Sequence, residues 1–262
     1  MKEKITSISN QQIKRASRLR NRRDREREKL FLIDGVRPLK LALAAGVEIK
    51  VIYYDTSRPH DELLSQARYK GVALQGVSSE VAARLCYGDN PDGHVGIASP
   101  PVSDINSLKL PENPLIIVTQ SLEKPGNTGA VFRSADAAGA DAHIICDPVT
   151  DAFNPNIIRS SQGTVFTVPF AVASSAEAIE WLKKNSIRVY SAFPGKGINY
   201  TEADLTGRTA VCIGNEHSGL SDAWLKTSPV HISMKGKADS LNAAQTATLL
   251  LFEAVRQRGS GV

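Results

Sequence analysis

The sequence predicts an α/β protein: a mostly parallel sheet with helices on both faces, preceded by a smaller α/β domain. Three observations carry this prediction. Short apolar runs alternate with helix-patterned segments along nearly the whole chain. The alternation breaks once, at "PPVSDINSLKLPENP" (100–114), which holds four prolines and few large apolar residues. Charge divides at the same place: residues 1–100 carry 18 Lys and Arg against 12 Asp and Glu, and residues 101–262 carry 14 against 15. The expected organisation is a domain over 1–99 with a basic N-terminal extension, a linker over 100–114, and a second domain over 115–262. A chain of 262 residues is long enough to bury a real core in each.

The basic excess is concentrated in "KRASRLRNRRDREREK" (14–29), with nine basic residues and three acidic ones. Such a run suits a binder of phosphate backbones, and Arg18, Arg22 and Arg25 are its candidate contacts. The alternative is a solvated helix face laced by i,i+4 ion pairs. From Phe31 the small domain reads as short units: strand "LFLIDG", helix "VRPLKLALAAG", strand "VEIKVIYYD", helix "HDELLSQARYKG". Strand "VALQGVS", helix "SEVAARLCYG" and strand "GHVGIAS" complete it. After the prolines the pattern restarts more strongly. "LIIVTQS" is a buried strand, "GNTGAVFRSADAAGA" the turn into a helix, and "DAHIICD" the next strand. "NPNIIRSSQGTVFTVPFAV" gives a helix and a strand, followed by helix "SAEAIEWLKKNS", strands "IRVYSAFP" and "TAVCIGNE", and the closing helix "SLNAAQTATLLLFEAVRQR". Continuous apolar strands are the mark of a sheet covered on both faces.

Ligands of open parallel sheets bind outside the carboxyl ends of the strands. Three polar, cap-like loops follow strands here: "SLEKPGNTG" (121–129), "GNEHSGLSD" (214–222) and "SMKGKADSLN" (233–242). Each residue in them has a structural reading. Asn127 can form an Asx-type turn, Ser240 an N-cap, and Glu216 a favourable charge near a helix N-terminus. Three such loops within a few residues of strand ends point jointly to a site. Several chemistries are excluded: there is no G-x-x-x-x-G-K-[ST] phosphate loop, no G-x-S-x-G elbow, and no zinc-spaced His or Cys cluster. His217 is the one histidine positioned to line the crevice. No metal and no membrane span is expected, since no apolar run approaches ~18 residues. Cys86, Cys146 and Cys212 lack CxxC spacing and fit buried thiols in a reducing cytoplasm.

At these loops the sequence resembles the SpoU (TrmH-like) family of RNA ribose 2′-O-methyltransferases, of the SPOUT superfamily. Asn127 and Arg133 in "NTGAVFR" match its first motif, "GNEHSGLSDAW" its second, and "ISMKGKADSLNAAQTATLLLFEAVRQR" its third. Residues 1–100 resemble the family's L30e-like substrate-binding domain, above all in "KLFLIDGVRPLKLAL". The resemblance implies a SPOUT domain with a C-terminal trefoil knot, S-adenosylmethionine as cofactor, action as a homodimer, and an RNA substrate. It assigns cofactor binding to Gly214, Ile232, Met234 and Leu241, and the polar site residues to Asn127, Arg133, Glu216, Ser240 and Asn242. The basic segment would grip the RNA. Two departures stand out: Ser233 replaces the usual proline before Met234, freeing φ, and His217–Ser218 replaces a glycine-containing pair. Ribosomal RNA, of the 23S kind, is the expected substrate. The alternatives are tRNA, or a non-catalytic role in RNA binding or assembly.

Overall fold

A computed structural model describes residues 3–87 and 91–259. They fall into two compact units, Met1–Val102 with Asp151–Thr167, and Ser103–Thr150 with Val168–Val262.

The first unit begins with α1 (Gln11–Arg18) and α2 (Arg22–Glu28). Asn10 caps α1 by accepting from the Gln12 N–H at 2.8 Å. Then β1 (Phe31–Asp34), α3 (Val36–Ala44), β2 (Ile49–Asp55), α4 (Asp61–Tyr69), β3 (Ala73–Val77), α5 (Ser79–Leu85) and β4 (His94–Ala98) follow. Their sheet runs β1-β4-β2-β3, with β4 antiparallel to both neighbours and β3 parallel to β2. Helix α1 lays Ile13 and Ala16 into a core shared with Leu32, Val77, Val81 and Leu85. The basic run therefore forms two short helices, the first with a buried apolar face.

The second unit opens before the linker ends. Ser103 accepts from the Val172 N–H at 2.9 Å, and Ile105 is buried in the core of this unit, so the proline-rich connection is packed chain from residue 103 onward. Next come β5 (Leu115–Gln120), α6 (Pro125–Ala137) and β6 (Ala142–Cys146). Asp151–Thr167, which contains α7 (Pro155–Ser160), groups with the first unit, although it lies inside the span expected for the C-terminal domain. Side-chain packing accounts for this. The Phe153 ring stacks on Phe31 with centroids 4.3 Å apart, Phe166 lies 6.1 Å from Phe31, and Arg25 bonds Asp151 at 2.5 Å. A good aromatic pair adds roughly 0.5–1.5 kcal/mol beyond its buried area.

The chain continues with β7 (Phe170–Ala173), α8 (Ser175–Lys184), β8 (Arg188–Ala192), β9 (Ile198–Asn199), β10 (Thr209–Ile213), β11 (Ser228–His231) and α9 (Ala243–Gln257). The seven strands form one sheet ordered β7-β6-β5-β10-β8-β11-β9, and every pair in it is parallel. All residues of β5, β6 and β10 are buried, which is why these strands read as unbroken apolar runs. Cys146 and Cys212 lie in this core as free thiols, Cys146 pushed up to about 12 by burial. Strands β9 and β11 carry no such signal: one has two residues, the other contains Pro229.

Candidate active site

Parallel pairing brings the carboxyl ends of β5, β10, β8 and β11 to one side of the sheet. The loops leaving β5 and β10 are joined by two amide side chains. Gln120, at the end of β5, donates through Nε2 to Asp147, Ser175 and Ser221 oxygens at 3.1, 2.9 and 3.0 Å, and its Oε1 accepts from the Ser221 N–H at 2.9 Å. Asn215, directly after Gly214, donates to the Ser121 carbonyl at 2.9 Å and to Glu123 at 3.1 Å. Its Oδ1 accepts from the backbone N–H groups of His217 and Ser218 at 2.8 and 3.1 Å. Asn215 is buried and uses every polar atom of its side chain. Its signal in sequence was an asparagine followed by a reversing Gly219, a pattern common to many ordinary turns.

Gly214 is fixed by crowding. A Cβ there would lie 2.2 Å from the Gly219 carbonyl carbon and 2.3 Å from the Leu220 nitrogen. Those atoms belong to backbone, which cannot step aside as a flexible side chain would. Only glycine lets the 214–220 loop fold back on itself.

A second chain of contacts joins all three loops. Asn242 is the N-cap of α9, its Oδ1 accepting from the Ala244 N–H at 2.9 Å. Its Nδ2 donates to Asn127 Oδ1 at 3.2 Å, and Asn127 Nδ2 donates to Glu216 Oε1. The Ala244 N–H sets the orientation of Asn242, which sets that of Asn127, which presents its N–H to the carboxylate. Glu216 Oε2 is buried and has no partner among the described residues. A buried acceptor of this kind calls for a donor. The cap expected at Ser240 is thus made by Asn242, and Asn127 sits in the first turn of α6 rather than in the preceding loop.

Beside Glu216 opens a cavity of about 500 Å³, within the range of small-molecule sites at ~300–1,000 Å³. Gly214, Glu216, Ile232, Met234, Ser240 and Leu241 line it, as does His217. Phe193, Leu220 and Leu225 add apolar wall, and Asp222 and Asp239 add carboxylates. Asn127, Arg133 and Asn242 are not among its lining residues; the two asparagines connect to it through Glu216. Arg133 is exposed on α6, and six residues at 100° each turn it about 120° round the helix from Asn127. Ser233 accepts from Asn199 Nδ2 at 3.0 Å, so a side-chain contact holds the turn that proline would restrict. No three His, Cys, Asp or Glu side chains gather as a metal cluster among the described residues, and none of their helices is long and apolar enough to cross a membrane.

The three arginines expected to meet RNA differ. Arg18 and Arg22 are exposed, with Arg22 donating to Glu26 at 2.6 Å. Arg25 does not fit that role. It is 6% exposed, and its guanidinium is occupied by both Asp151 oxygens and by the Leu19 and Arg20 carbonyls. Burying that charge without its partners would be costly, so Arg25 holds structure.

Residues 114–252 match the SpoU rRNA Methylase family. The chain belongs to this family. Residues 10–96 match the MRM3-like substrate binding domain. A 23S rRNA (uridine(2479)-2′-O)-methyltransferase of Streptomyces viridochromogenes is 34% identical, over 93% of this chain and 88% of its own length. The crystal structure of an RNA 2′-O ribose methyltransferase matches with TM-score 0.85 and 39% identity, covering 98% of this chain and 99% of the other. The SpoU methyltransferase AviRb from Streptomyces viridochromogenes, in complex with the cofactor AdoMet, matches with TM-score 0.85 and 31% identity, over 97% and 100%. These likenesses extend through both units, as SpoU membership with an added substrate-binding domain requires.

Proposed function

We propose that this chain transfers the methyl group of S-adenosylmethionine to a ribose 2′-hydroxyl of ribosomal RNA. The observation that carries the proposal is the cavity at the strand ends, walled by the second and third family motifs and joined to the first by the Asn242–Asn127–Glu216 chain. Its lining fits the cofactor. Apolar Ile213, Leu220, Ile232 and Leu241 suit an adenosyl group, and Glu216, Asp222 and Asp239 suit a cationic one. Bound there, the cofactor supplies an electrophilic methyl group. Gly214, Ile232, Met234 and Leu241 hold it.

Asn127 and Ser240 orient the target ribose and its neighbouring phosphate. Arg133 is a positioning cation: a guanidinium keeps its proton at physiological pH, so it stabilises charge developing on the 2′-oxygen rather than removing the proton as a base. Glu216 and Asn242 keep Asn127 in place. The reading includes the family's homodimer and trefoil knot. Exposed Leu249 and Phe252, three residues apart on α9, support the first. The second is supported by the path of the chain: β11 lies beyond β8, yet α9 packs on α6, β5 and β10. A cytoplasmic setting accords with three buried, unpaired cysteines.

The test is incubation with methyl-labelled S-adenosylmethionine and unmodified ribosomal RNA, followed by mapping of bonds that resist alkaline cleavage. Label on such a bond, lost in Arg133→Ala at saturating RNA, is the expected result. Label on a base or only on tRNA, or near-normal turnover by Arg133→Ala, would overturn the assignment.

A further inference from the structure

The basic run contributes to two different things. Most of its cations are already engaged. Arg15 pairs with Glu28, Arg22 with Glu26, Arg25 with Asp151, and Arg27 with Asp24 and Glu28. Arg20 donates to the carbonyls of Arg84, Leu85 and Cys86 at the end of α5. Lys14 and Arg18 have no carboxylate partner among the described residues, and neither has Arg84 in the last turn of α5. These three line one depression of about 470 Å³ in the first unit, with Ser9, Ser17 and Asn21. Among the described residues no acidic side chain lines it.

Three features mark this depression as built for an anion. Lys14 and Arg18 stand four residues apart on α1, a like-charge spacing that disfavours a helix. Arg84 brings a third positive charge from a different helix, 66 residues further along the chain. Arg20 meanwhile takes the carbonyls at the end of α5, and the Arg84 side chain has no ion-pair partner among the described residues. Ser17, in the same lining, has a buried hydroxyl with no partner among the described residues.

We infer that the depression between α1 and α5 binds phosphates of the substrate RNA backbone, through Lys14, Arg18 and Arg84 with Ser9, Ser17 and Asn21 as hydrogen-bonding groups. This rests on the reading that the substrate is RNA. Phosphate contacts fix orientation without reading sequence, so the site anchors the RNA without choosing the ribose.

The experiment measures binding of the full chain to an unmodified ribosomal RNA fragment, by fluorescence anisotropy, across a series of salt concentrations. Each lost phosphate contact lowers the log–log salt slope by about 0.7–0.9. Arg84→Gln alone should lower it by about one contact, and Lys14→Gln with Arg18→Gln by about two. The control, Arg15→Gln with Arg27→Gln, removes as much charge from the same run and should leave the slope nearly unchanged. An unchanged slope in Arg84→Gln, or an equal fall in the control, overturns the inference. Arg84→Lys should retain the slope, separating charge from folding. If the wild-type chain methylates no RNA, the proposed function fails; if it does so and the variants bind normally, only this site fails.

Discussion

Asn242 does two jobs with two atoms, and substitution can separate them. Its Oδ1 caps α9 and its Nδ2 tethers Asn127. Asn242→Ser keeps an oxygen able to cap but loses the amide donor; Asn242→Ala loses both. An N-cap oxygen contributes about 1 kcal/mol, and a neutral hydrogen bond a net of about 1 kcal/mol. Asn242 is exposed and its bond to Asn127 is 3.2 Å long, so the tether belongs at or below that figure. The serine variant should therefore lose about 1 kcal/mol or less and the alanine variant about 2 kcal/mol. Turnover should behave differently. Without the tether Asn127 can turn its amide, and about 1 kcal/mol corresponds to roughly a five-fold fall in correctly set sites. Both variants should be slowed by about that factor, measured as single-turnover methyl transfer at saturating cofactor and RNA. Urea titration of each protein gives the stability difference. Wild-type turnover by Asn242→Ser would refute the tether, and equal stability of the two variants would refute the cap.

Gly214→Ala places a Cβ 2.2 Å from backbone and should cost about 1–3 kcal/mol while abolishing cofactor binding by calorimetry; unchanged affinity would sink the crowding argument. Burial pushes the Asp34 carboxyl up to about 6, against a hydrogen bond from the Tyr87 N–H, with Asp92 acting in the same direction as burial and Arg20 against it. A raised carboxyl stabilises the fold below its unfolded value near 4, and that benefit is lost as pH rises through 6. Asp34→Asn should thus raise the melting temperature at pH 7.5, where about 3 kcal/mol is forgone, and have little effect at pH 4; an equal gain at both would refute this. Burial pushes His143 down to about 3, its Nε2 lying 2.9 Å from Thr119 Oγ1 and its ring edge-on to Phe132. The contribution of a depressed histidine is intact above 6.5 and lost as pH falls toward 3, on the order of 5 kcal/mol. His143→Gln should flatten the fall in urea midpoint over that window, and an unaltered slope would show that other groups cause it.

Legibility in the sequence followed how local each cause was. Strands β5, β6 and β10 could be read because burial on both faces demands unbroken apolar residues, whatever their neighbours. Two of the three loops could be read because they follow β5 and β10 directly, and the third because of its own polar, cap-like residues before α9. Strands β9 and β11 could not, because they form by pairing at the sheet edge and one contains Pro229. Asp151–Thr167 looked like one more α/β unit of the C-terminal half. Its grouping depends on Phe31, more than a hundred residues earlier, and no periodicity encodes such a partner. Arg25 shows the same limit from the side of charge. A basic run displays its sign, but the acid that engages Arg25 lies 126 residues away.

The site motifs are legible for a related reason, and the reason explains their spacing. Asn127 belongs to the first turn of α6, Glu216 stands three residues beyond β10, and Asn242 caps α9. Each position is measured from the end of an element, and the parallel sheet brings those ends together. The distances between motifs along the chain are set by whatever helices and strands intervene, so they carry little geometry of their own. The distances within motifs carry a great deal. Between Ile213 and Glu216 there is room only for Gly214 and Asn215, one excluding a side chain and the other binding the neighbouring loop with all of its polar atoms. Residues 235–240 are exposed, and no comparable crowding constrains them. What fixes each motif side chain is its attachment to a strand end or a helix start.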